Sequence, residues 1–194
     1  VTDERVRRLY PNWRMAALRA TVTTAQTADP TAVQVIRTNL ANQVAQLTAM
    51  IRGGGVVTAG TDAPIDHLGI SLHMNLRAMV RYGLTPHQAL TTATRFAGEY
   101  LEQPIGVVEK GALADLVIVG GDPLARIEDA AAVRLVIKNG EAFDIPTLVA
   151  PFVGKAQAEV EPVRPLAARK AAFWWHEADY VESGRAACCL DPFC

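Results

Sequence analysis

The chain has 194 residues, half of them apolar and a fifth charged, with a net charge of -1. That suffices for a buried core and leaves no basic footprint for nucleic acid. No apolar run approaches the roughly 18 residues of a membrane span, and the charged start Val1-Thr2-Asp3-Glu4-Arg5 has no signal-peptide core.

Residues 1–28 read as irregular or helical, with Pro11 as a break. Met15 is the first Met, so the chain reads either as having had an N-terminal segment removed or as starting inside a longer protein. Asp29-Pro30 then opens a helix, because Asp29 can accept from free N–H groups and Pro30 suits the first helical position. Val33, Ile36, Leu40, Val44, Leu47 and Ile51 form one apolar stripe at spacings of three or four, and Gly53-Gly54-Gly55 stops it. Val56-Val57-Thr58-Ala59-Gly60 does not alternate, which predicts a strand buried on both faces. Asp62 follows it, at the head of a loop over Ala63–Ile70.

Two helices come next. One spans about Leu72–Tyr82 with Leu72, Leu76, Met79 and Val80 inward, and Gly83 is placed to close it. The other starts at Thr85-Pro86-His87-Gln88, where Thr85 and Gln88 have capping-box spacing, and runs to about Leu101. The character then changes to short strands: Ile105–Glu109, Asp115–Val119, Val133–Lys138 and Glu141–Asp144. Asn139-Gly140 is a two-residue hairpin signal, and Gly120-Gly121-Asp122-Pro123 is a turn. After Pro146 the chain is rich in Pro and Ala and ends in Phe173-Trp174-Trp175-His176 and three cysteines, Cys188, Cys189 and Cys194.

A carboxylate directly after a buried parallel strand stands where α/β barrels place their active sites, although an Asp there also serves as a cap or turn former. The surrounding residues add a resemblance. Ala59-Gly60-Thr61-Asp62-Ala63-Pro64, Gly69-Ile70-Ser71-Leu72-His73, Gly83-Leu84-Thr85-Pro86 and Gly106-Val107-Val108-Glu109-Lys110-Gly111-Ala112-Leu113-Ala114-Asp115-Leu116-Val117 together resemble the C-terminal portion of the amidohydrolase superfamily, in its imidazolonepropionase-like branch. The likeness covers about residues 30–150. It implies an α/β fold: the last strand and helices of a (β/α)8 TIM barrel over 1–103, strands of a composite β-sandwich over 104–150, and a C-terminal tail over 151–194. It also implies one or two divalent metals, commonly zinc, that activate a water. Asp62 would be both metal ligand and catalytic base, His73 a substrate contact or else a structural residue bonded to a backbone carbonyl, and the substrate a small molecule or peptide-like compound with a C–N bond to hydrolyse.

The family's remaining metal ligands have no counterpart in this sequence, whose first histidine is His67. The resemblance therefore implies a partner, either an N-terminal barrel segment or a second chain. The competing reading is a non-catalytic fragment or interaction module that keeps only the end of the fold. Without partner strands, the Val56–Gly60 edge and helix faces including Leu76 and Met79 should be exposed, which predicts self-association into homo-oligomers. Where the family often carries Glu two residues beyond the His73 position, this chain has Asn75, whose role the sequence leaves open. Asp66 reads as a solvated loop carboxylate or a second metal contact, and His87 as exposed in a first helical turn. Asp115 reads as a structural acceptor for backbone groups. His176 with the terminal cysteines matches no zinc spacing rule, and the aromatic cluster reads as packing. The cellular compartment is not legible.

Overall fold

The computed structural model describes residues 4–10, 12–61 and 69–152. The chain divides into two units, one made of Val1–Thr23 with Gly154–Cys194 and the other of Thr24–Val153. Helices α1 (Glu4–Leu9) and α2 (Asn12–Thr27) flank Pro11, in keeping with the expected break. Met15 and Leu18 on α2 are buried.

The second unit is mixed α/β. Helix α3 runs from Pro30 to Arg52, and the Asp29 carboxylate accepts from Ala32 N–H at 3.0 Å as the composition of its start demands. Its end is closed by two backbone bonds, Gly54 N–H to Ile51 carbonyl and Gly55 N–H to Met50 carbonyl, the pairing of a Schellman motif. Val44 is inside, Leu47 and Ile51 pack against the core, Val33 and Leu40 are half-buried, and Ile36 is exposed.

Helix α4 (Ile70–Arg81) ends the same way, with Gly83 N–H on Val80 carbonyl and Leu84 N–H on Met79 carbonyl. This turn drives Leu84 inward beside Met79. Helix α5 (Pro86–Ala93) starts at a complete capping box. Thr85 Oγ1 accepts from Gln88 N–H at 3.2 Å, and Gln88 Oε1 accepts from Thr85 N–H at 2.9 Å. The core joins Val44, Leu76, Met79, Leu84, Ala89 and Ile127, each large side chain worth roughly 1.5–3 kcal/mol of burial. Leu76 and Met79 are therefore not exposed as the sequence reading held: α3, the turn at Leu84 and Ile127 cover them.

The second predicted helix is two. It breaks at Thr94 (φ -129°, ψ -94°), and α6 resumes over Arg95–Leu101. Three threonines account for the break. Thr91, Thr92 and Thr94 hydroxyls donate back to the His87, Ala89 and Leu90 carbonyls at 2.8, 2.6 and 2.8 Å, and such bonding bends helices.

Strands β1 (Leu116–Val119), β2 (Val133–Lys138) and β3 (Glu141–Asp144) form an antiparallel sheet in the order β1-β2-β3, with Leu116 opposite Ile137 and Leu135 opposite Asp144. Asn139 (φ 53°) and Gly140 (φ 80°) make the two-residue turn between β2 and β3, which requires both to be left-handed. A short 3₁₀ turn, Ile127–Ala131, precedes β2, and α7 (Ile145–Val149) follows β3 on an Asp144 cap.

Two expected strands are absent. Ile105–Glu109 spends its backbone and that of its flanks on local turns: Ile105 N–H reaches Gln103 carbonyl, and Leu113 N–H reaches Pro104 carbonyl, both at 2.8 Å. Val56–Gly60 also forms no ladder with any described segment. Its backbone bonds run to helices instead.

Candidate functional site

The segment Val56–Thr61 leaves the closed end of α3 and is fixed at two points. Ala59 N–H donates to the Thr92 carbonyl at 3.0 Å. The Asn75 side-chain amide donates to the Gly60 carbonyl at 2.7 Å. Thr92 is fully buried on α5, and Asn75 lies half-buried on α4, so the two anchors belong to different helices of one core.

Asp62, Asp66 and His67 lie outside the described residues, as do His176, the aromatic cluster and the three cysteines. His73 is half-buried in the first half of α4 and already has an interaction partner. His87 is exposed in the first turn of α5, as its position there predicts. It lines a shallow groove of about 450 Å³ with Ile51, Thr94, Phe96 and Glu109.

Asp115 holds the β2–β3 turn rather than a ligand. Its carboxylate accepts from Asn139 N–H at 2.8 Å and from the Lys138 ammonium, while Gly140 N–H donates to Ala114 carbonyl at 3.1 Å. The Asn139 bond first, then Lys138, hold its carboxyl below the ordinary carboxylate value. Asp129 is lowered chiefly by Arg126, whose Nε donates to it at 2.8 Å, and further by Asp122 N–H. Both are structural, which is the role the sequence assigns Asp115.

Among the described residues, no three His, Cys, Asp or Glu side chains converge where they could hold a metal ion. A catalytic zinc takes three protein ligands, so these residues do not by themselves fit one. No helix among the described residues is long and apolar enough to cross a membrane.

The residue that sequence reasoning missed is Asn75. Its signal was a poor helix former placed in mid-helix beside an inward stripe, but the partner carbonyl lies fifteen residues away and no local pattern announces it.

The sequence profile of the amidohydrolase family matches residues 11–143, more than half of the chain. No curated protein matches the chain significantly in sequence. Among solved structures, a Xaa-Pro dipeptidase with methionine bound in its active site is 28% identical over 52% of this chain and 25% of its own, with a TM-score of 0.46. A molinate hydrolase is 24% identical over 64% of this chain and 29% of its own, also at 0.46. A further amidohydrolase is 26% identical over 52% of this chain, at 0.43. The matched stretch thus spans less than a third of those proteins' lengths.

Proposed function

Because the chain belongs to the amidohydrolase family, we propose that it supplies the closing part of a metal-dependent hydrolase that cleaves a C–N bond in an amide, cyclic amide or peptide-like substrate. In this reading residues 1–103 end a (β/α)8 barrel, 104–150 contribute to a composite β-sandwich, and 151–194 form a tail. The observation that carries the proposal is the family match across residues 11–143, which includes Asp62 and its flanking helices.

The family generally uses divalent metals, and zinc is the metal we propose; bound, it would make water nucleophilic near neutral pH. The described residues do not complete such a site. The other ligands would come from a preceding barrel segment or a second chain. Asp62 is the proposed general base: a carboxylate accepts a proton from the attacking water and returns it to the leaving nitrogen. It is also the chain's proposed metal ligand. His73 is the proposed substrate contact.

In the complete enzyme, Asp62→Asn should lower turnover about a hundred- to ten-thousandfold, because a neutral amide of the same shape cannot accept the proton. Thermal unfolding should change little. Steady-state kinetics at saturating metal check this, and undiminished turnover would overturn the assignment.

Self-association belongs to the same proposal. Ile36, Met50, Val56 and Met74 are exposed apolar side chains in the helical region, and the backbone at Val56–Gly60 has no strand neighbour among the described residues. The chain alone should elute as oligomers in size-exclusion chromatography with light scattering. A sharp, lasting monomer peak would argue against a missing partner.

A further inference from the structure

Val56–Thr61 has no ladder, yet it is held by residues far along the chain. Thr92 is a fixed acceptor: it is fully buried, its hydroxyl donates to the Ala89 carbonyl at 2.6 Å, and its carbonyl accepts from Ala59 N–H at 3.0 Å. Asn75 is the second fixed point. It stands three residues after Leu72 and four before Met79, beside the stripe of α4 that faces the core. Asn is disfavoured inside helices because its short amide competes for nearby backbone groups. Here the amide bypasses its own helix and reaches the Gly60 carbonyl at 2.7 Å, at the short end of the N–H···O range.

The anchored carbonyl belongs to the planar Gly60–Thr61 peptide. Only the two soft torsions of Thr61 separate that plane from the peptide that begins Asp62. A side chain that fixes the first plane therefore restricts where the next residue's backbone can go. We propose that Asn75 is a positioning residue, which with the Thr92 carbonyl sets the backbone that delivers Asp62 to the reaction. The inference rests on the reading of Asp62 as general base.

Two measurements test it. Amide exchange on the 194-residue chain reads the anchor through the neighbouring Ala59 N–H, which is held only while the segment stays in place. Kinetics of the complete enzyme on amino-acid p-nitroanilides read its consequence. Asn75→Asp keeps the side chain's size and removes the donor; Asn75→Ala removes both. Exchange at Ala59, whose N–H donates to the Thr92 carbonyl, should speed up roughly two- to tenfold in both variants, the span of one lost hydrogen bond, while β2 keeps its rates. In both variants kcat should fall about tenfold or more with KM unchanged, because a displaced base slows chemistry without loosening binding. Undisturbed exchange in Asn75→Asp overturns the proposal, since a side chain that only fills space tolerates that change. Asp62→Asn separates the two ideas. If it retains full turnover, the general-base reading falls and the exchange result alone decides the anchor. If it loses turnover while Asn75→Asp keeps wild-type kcat, the positioning role is refuted and the general-base reading stands.

Discussion

The helical layer and the β module of the larger unit are held by different forces. Around α3, α4 and α5, Val44, Leu76, Met79, Leu84 and Ala89 are shut away from water, and the polar groups that matter are caps. In the three-stranded sheet no strand residue is fully buried, and Val117 and Ile118 stand half out of it. There the turns are tied by carboxylates: Asp115 to the hairpin, Asp122 and Asp129 to the loop before β2, Asp144 to α7. Among the described residues, Ile127 is the one side chain of the β module inside the helical core. The contrast teaches that apolar burial sets the position of the helices, whereas the module depends on ionised acceptors and inherits their sensitivity to pH.

The sharpest way to break this comparison is at its apolar end. Leu76→Ala should cost about 2–5 kcal/mol, the usual range for truncating a buried leucine, and urea unfolding followed by circular dichroism reads it. A loss under about 1 kcal/mol would mean that the helical layer is not the stability core.

Gly106→Ala tests the junction between the two regions. Gly106 has φ 80°, and an added Cβ would press into the Thr94 carbonyl, where α5 breaks into α6. Backbone cannot yield as a side-chain tip can, so a cost of about 1–3 kcal/mol is expected in the same unfolding assay. A neutral result would show that the 105–109 segment moves independently of the break.

The smallest effect is local and separates the regions by pH. Asp115, Asp129 and Asp144 all have carboxyls lowered in the fold, by Asn139, Arg126 and Thr147 respectively as the first causes. A lowered carboxyl contributes stability that is whole above the unfolded value, near pH 4, and lost as pH falls through the folded value. Amide protection in β1–β3 should therefore fade below about pH 4 while that of α4 and α5 persists, since apolar burial carries no proton. Simultaneous loss in both regions would erase the distinction drawn between them.

Much of this chain is legible without a structure, for a physical reason that can be located. Asp29 and Thr85 cap, Gly53–Gly55 and Gly83 close helices, and Asn139-Gly140 turns a hairpin, because each acts on backbone groups within a few residues of itself. The apolar spacing of α4 likewise names its inner face, and the family likeness is carried by linear motifs. The candidate site was legible only in part: Asp62 and His73 come from those motifs, while Asn75 was left without a role.

What tertiary structure alone decided is every bond between distant segments. Val56–Gly60 has the composition of a buried strand, but a strand exists only against a partner, and here Thr92 and Asn75 take those backbone groups instead. Ile105–Glu109 forms no strand, and its two ends are tied into turns, Ile105 N–H to the Gln103 carbonyl and Ala112 N–H to the Glu109 carbonyl. Of the α3 stripe only Val44 is fully buried and Ile36 stays in water, because nothing described covers it. Local sequence fixes which backbone groups a residue can cap or turn, since those partners are near in the chain. Which remote groups a segment meets depends on how the helices close around Leu76 and Met79, and only folding brings those groups within hydrogen-bond reach.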